Sequence, residues 1–186
     1  MFSILDNQMQ VVVYCRNDNN FIGTDTATTI GNQNCVLGNF VMGKSINSTS
    51  SYNCVVGNYA MYSNDSGDKN CSMGNFSMYN NTIGSFNSAI GTYCLYSNQT
   101  GNYISGMGNY CLYKTTTGPN DAIGNYSMYN NTTGSDNVAV GSYALYNNTT
   151  GIQNTAIGNY ALYNNTTGQK NIAIGTNAGY KNTTES

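Results

Sequence analysis

The stretch GSYALYNNTTGIQNTAIG, residues 141–158, is followed without a break by GNYALYNNTTGQKNIAIG, residues 158–175. The two are nearly the same sentence written twice, 17 residues apart. Working back from Gly141, the marker glycine recurs at Gly124, Gly108, Gly91, Gly74 and Gly57. Every step is 17 residues except Gly108 to Gly124, which is 16. A short, fixed period means a solenoid, in which each unit buries its apolar face only by stacking on its neighbours.

The repeat is poor helix material. Each unit carries two glycines, a run of the form NNTTG, and β-branched residues, all unfavourable in a helix interior. Between turns only five to seven residues remain, a length that suits short strands. The expected fold class is therefore all-β, a parallel β-roll or β-solenoid of 17-residue coils with two short strands per unit. Successive coils would stack at about 4.8 Å.

With the marker glycine as position zero, columns can be read down the chain. Position −1 holds Ile90, Ile123, Val140, Ile157 and Ile174, and position +4 holds Leu95, Leu112, Leu145 and Leu162. Both columns are apolar throughout, so both are expected to face the core, and Ile157→Asp is expected to be strongly destabilising. Position +3 is always small, as in Ala60, Cys94 and Ala144. That implies close packing, against either the opposite wall of the coil or a neighbouring subunit. Positions +2 and +5 are aromatic, and residues three apart on an extended strand point to opposite sides. The +5 tyrosines Tyr129, Tyr146 and Tyr163 are candidates for a binding surface. The glycines after the polar run, such as Gly134 and Gly151, suit a turn with positive φ.

The repeat does not cover the whole chain. Residues 1–30 read as an N-terminal cap or docking segment, with a β-prone run at Val11–Cys15 and a turn over Arg16–Asn20. Residues 31–52 form a degenerate first coil with an insertion around Lys44–Ser51, and residues 53–186 are the regular repeats.

Composition narrows the chemistry. Of 186 residues only 8% are charged, the net charge is −2, and histidine is absent. The scarcity of cations argues against nucleic acid, whose binding depends on contacts to phosphate. No run of apolar residues is long enough for a membrane-spanning helix, and no insertion into a membrane is expected. Without histidine or a catalytic motif, an enzyme is not expected; nor is a cofactor or a metal site, since no C-x-x-C pair occurs. Asp65, Asp68, Asp121 and Asp136 read as solvated turn residues rather than a calcium loop. The N-terminus lacks the charged and apolar regions of a secretory signal peptide. Cys35, Cys54 and Cys71 share position −3, and Cys94 and Cys111 share position +3. These thiols read as small buried side chains exchanged within a column, with a disulfide ladder as the sharper alternative.

The run Asn154-Thr155-Ala156-Ile157-Gly158, with Asn137-Val138-Ala139-Val140-Gly141, resembles the head repeat of YadA-like trimeric autotransporter adhesins. Its longer form, running on into A-L-x-x-N-T-T-G, resembles repeats in fibres of phages and large DNA viruses. The likeness spans about residues 34–182. It implies a left-handed parallel β-roll and a homotrimer, with end-to-end filaments as an extension. The expected function is a structural fibre or filament of a virion or extracellular appendage. The alternative is an adhesin head that binds a receptor or a cell-surface glycan.

Overall fold

Each repeat is one turn of a β-solenoid in the computed structural model, which describes residues 12–16, 19–23, 33–42 and 49–186. No helix occurs among the described residues. Each coil supplies one short strand to a single sheet: β3 (Cys35–Leu37), β4 (Cys54–Val56), β5 (Cys71–Met73), β6 (Ser88–Ile90), β7 (Ser105–Met107), β8 (Asn120–Ile123), β9 (Asn137–Val140), β10 (Thr155–Ile157) and β11 (Ile172–Ile174). These nine run parallel and in register, so Ala156 faces Ala139 on one side and Ala173 on the other. Two strands precede them. β1 (Val12–Arg16) and β2 (Asn19–Gly23) pair antiparallel, and β2 continues the sheet in parallel with β3. Arg16, Asn19 and Asn20 thus lie in strands rather than in the expected turn. Most of the expected insertion, residues 44–48, lies outside the described residues, as do residues 1–11.

The coil has one strand per turn rather than the expected two. Left-handed backbone accounts for the rest of the turn. At +2 and +4 the chain adopts positive φ in coil after coil, for example Tyr143 at 61° and Leu145 at 51°. A non-glycine residue there costs of order 1 kcal/mol, and such bends stop a second strand from forming. The marker glycine takes a φ that side chains avoid, 135° at Gly141, and a Cβ there would strike the carbonyl of Gly158 in the next coil. Except at Gly118, the second glycine of each unit differs from expectation. Gly151 has no positive φ; its missing side chain leaves room for the Asn148 amide and the Gly168 carbonyl.

One unit shows how tightly the turn is specified. Position −5 is left-handed in most coils, as at Asp136 (57°). In the 16-residue unit that position is Pro119, whose ring fixes φ near −65°. Gly118 takes the left-handed conformation instead, at 80°, and the coil closes one residue shorter.

The interior corrects the core reading. Leu95, Leu112, Leu145 and Leu162 at +4 are buried. The −1 column is not: Ile123 is 50% exposed, Val140 36%, Ile157 39% and Ile174 69%, with Ile90 half-buried. In each of β3–β11 the residue at −2 points inward, giving the pattern exposed, buried, exposed in β11. The inner column is therefore −2, which holds Ala89, Ala122, Ala139 and Ala156. It meets the small +3 column across a narrow coil. The Ser77 hydroxyl donates to the Ala89 carbonyl at 3.2 Å, and the Cys111 thiol to the Ala122 carbonyl at 3.4 Å. That column holds nothing larger than valine, and the isoleucines of the −1 column sit outside. The +3 column packs against its own opposite wall, and Ile157→Asp would place its charge on the surface.

The rest of the interior is mainly amide, with Ile104 and Thr115 interrupting the two columns. Asn120, Asn137 and Asn154 at −4 are buried, each amide linked to the next coil. The Asn154 backbone N–H donates to the Asn137 side-chain oxygen at 2.9 Å, and the Asn137 amide nitrogen donates to the Gly151 carbonyl at 2.9 Å. A second ladder stands at +7, where the Asn148 amide donates to Asn131 and Asn165 to Asn148, each at 2.9 Å. Buried amides are tolerable only when so paired.

Candidate interaction surfaces

A three-residue strand with its middle residue inward sends positions −3 and −1 outward together. Stacked in register, they make a flat strip along the solenoid. The −1 side of this strip is entirely aliphatic or thioether, from Leu37 (44% exposed) through Met73 and Met107 to Ile174. The −3 side starts with Cys35, Cys54 and Cys71 and continues through Ser88, Ser105, Asp121, Val138, Thr155 and Ile172. Asp121 is the one charged residue in these two columns of β3–β11. It lies on a strand, not in the expected turn.

A second surface is aromatic. The +5 tyrosines stack directly, with ring centroids 5.3 Å apart for Tyr129 and Tyr146 and 5.2 Å for Tyr146 and Tyr163, and interplanar angles of 9° and 6°. The +2 rings form a parallel stack, as in Tyr126–Tyr143 at 5.2 Å and Tyr143–Tyr160 at 5.0 Å. The two stacks touch, with Tyr143 lying 5.6 Å from Tyr146. The columns therefore share one side of the molecule instead of facing opposite ways. The left-handed residues at +2 and +4 remove the strand alternation on which that expectation rested. Tyr129, Tyr146 and Tyr163 are half-buried. Each ring spends its faces on its neighbours and shows solvent its edge and hydroxyl. Burial, and then the neighbouring phenols, push the hydroxyls of Tyr146 and Tyr163 above the ordinary tyrosine value.

A shallow polar groove runs beside the tyrosines, lined by Asn130, Asn147, Asn164 and the threonines Thr132, Thr149 and Thr166. Its polar groups are already engaged along the stack. Asn130 donates to Asn147 at 3.1 Å, and the Thr149 hydroxyl to the Thr166 carbonyl at 3.0 Å.

The five cysteines with described side chains divide into two sets. Cys94 and Cys111 are buried, and Gly106 stands beside them where other coils carry alanine, serine or valine. A Cβ on Gly106 would lie 2.7 Å from the Cys94 sulfur. A hydrogen bond that the Cys94 thiol donates to the neighbouring Cys111 sulfur, and then burial, hold the Cys94 thiol well above its usual range. Cys35 and Cys54 are exposed and Cys71 is half-buried, all three as free thiols. They are not the buried side chains expected, because position −3 faces outward. Among the described residues no three His, Cys, Asp or Glu side chains converge to hold a metal ion.

The sequence reading missed the −2 column because alanine and serine carry little hydrophobic signal. The clue was the middle place between two outward-pointing flanks. Searches of protein-family models, of curated proteins and of solved structures find no match to this chain.

Proposed function

We propose that the chain is a non-enzymatic structural subunit of a fibre or filament, of a virion or surface appendage, built from three copies packed side by side through the outward strip of β3–β11. The unpartnered apolar strip carries this reading. Nine strands at about 4.8 Å make it roughly 38 Å long, and contiguous apolar surface of this kind marks an interaction site. The occupant is another copy of the same chain. The strip's side chains repeat once per rung, and only a surface with the same period meets every rung. Asp121 alone brings charge to it.

A ring of three about an axis parallel to the stack keeps all copies in one direction and closes the assembly. The repeat's resemblance to trimeric fibre heads supports the same number. The small +3 column gives no support, since its residues are used inside the coil. End-to-end joining of such trimers extends the reading to a filament. The alternative, a glycan-binding head on Tyr129, Tyr146 and Tyr163, is less favoured. Sugar stacking needs open ring faces, and these rings cover one another.

Light scattering on the full chain and on an Ile123→Lys/Ile157→Lys variant tests the proposal. The expected result is a trimer that becomes a monomer with an unchanged circular dichroism spectrum, because both positions face outward. A monomeric unsubstituted chain, or a trimer that survives both lysines, would refute it.

A further inference from the structure

We infer that the outward thiols of Cys35, Cys54 and Cys71 form a row of two-coordinate sites for a soft monovalent metal ion of the Cu(I) class, each ion held between sulfurs of adjacent coils. The three residues occupy one column on consecutive strands, with Cys35 paired to Cys54 and Cys54 to Cys71 in register. Side chains in such a column repeat at the strand spacing of about 4.8 Å. Two metal–sulfur bonds of about 2.3 Å placed end to end span about 4.6 Å, so a linear S–M–S unit fits between rungs. A disulfide also fits strands at this spacing, but it joins only two of the three thiols.

Ligand type agrees with geometry. Thiolates favour Cu(I) over harder ions, and the chain has no histidine to favour other metals. No three ligands converge among the described residues, which leaves no closed tetrahedral centre and points to pairs. The Met73 thioether, a further soft donor, lies outward on the same strand as Cys71. Cys94 and Cys111 are closed to solvent inside the coil.

Loading the whole row takes two Cu⁺ and three thiols to one Cu₂(SR)₃ unit of charge −1, with three protons released to solvent. Cys54, the middle sulfur, bridges both ions. Each thiol must lose its proton to bind, so binding strengthens as pH rises. The spacing belongs to one chain's own coils. Copies packed on this face would set their rows side by side without changing it.

The test is titration of the reduced full chain with Cu(I), supplied as its bicinchoninate complex under argon, with light scattering on the same samples. The expected uptake is about two ions per chain. Cys54→Ser should abolish it, because Cys35 and Cys71 are two rungs apart. Cys35→Ser and Cys71→Ser should each retain about half, and Cys94→Ser all of it. X-ray absorption should show two sulfur neighbours per copper. Equal losses for the three outward variants would mean independent thiols and overturn the inference. So would no uptake in both the unsubstituted chain and the Ile123→Lys/Ile157→Lys background. The second background separates a missing site from one covered by assembly, and the scattering reports the assembly on its own.

Discussion

Replacing Asn137 by alanine removes one rung of the −4 ladder, and the structure says what is lost. The Asn154 backbone N–H donates to the Asn137 side-chain oxygen at 2.9 Å, and Asn154 is fully buried. No water can reach that N–H once its acceptor is gone, and an orphaned buried donor costs about 1–3 kcal/mol. The other groups keep partners. The Gly151 carbonyl still accepts from Asn148 at 3.0 Å, the Asn120 oxygen from the residue 137 backbone at 3.2 Å, and the Asn154 amide still donates to Gly168 at 2.8 Å. The weakened bonds add about 1 kcal/mol. The expected loss is about 3 kcal/mol, a large share of the 5–15 kcal/mol that holds a typical domain together. Every 1.4 kcal/mol is tenfold, so hydrogen exchange at the Asn154 amide should accelerate roughly a hundredfold. Asn147→Ala is the control. Asn147 belongs to the half-buried outer row, donating to Asn164 at 3.3 Å, and water can replace that bond at a cost below about 1 kcal/mol. Equal effects from the two variants, by exchange and by guanidinium unfolding, would refute the view that the buried amide ladder holds the coils together.

Two further outcomes follow from other columns. Gly141→Ala should lower stability by about 1–3 kcal/mol or more, from a φ of 135° and the Gly158 carbonyl in its path; thermal unfolding like that of the unsubstituted chain would contradict the stacking geometry. The hydroxyls of Tyr96, Tyr113, Tyr146 and Tyr163 are raised in the folded chain by burial first and by neighbouring tyrosines second. Between the ordinary value near 10 and the raised one, the unfolded chain has lost protons that the folded chain keeps. Stability from this source is full below about pH 10 and is lost above it. Phenolate absorbance should therefore rise later than for free tyrosine, together with loss of the β signal, and ordinary titration with unchanged circular dichroism would count against it.

The period, the strand at each AIG-type run and the buried Leu and Met at +4 were legible because each is a column of one chemical kind. The inside and outside of the strand were not. Hydrophobicity ranks Ile157 above Ala156, but a coil this narrow sets volume against hydrophobicity, and the smaller residue takes the interior. The aromatic columns were visible, yet their shared side depends on left-handed φ at Tyr143 and Leu145, which those residue types ordinarily avoid. The burial of the −4 asparagines needed the second ladder at +7 to be seen beside them.

The Gly106 unit bears on how such a chain avoids folding into the wrong copy of itself. Units that are nearly interchangeable can pair one repeat out of step at little cost, and most strands here would accept a neighbour's neighbour. Gly106 fits where it stands because the Cys94 sulfur occupies the space that a Cβ would need. If the chain skipped a unit, Ala122 would meet that sulfur with a methyl group, and the Cys94 side chain would have to turn aside. The irregular coil works as an index mark on an otherwise uniform scale. It penalises misnumbered stacking in the middle of the array, where neither end is near enough to correct it.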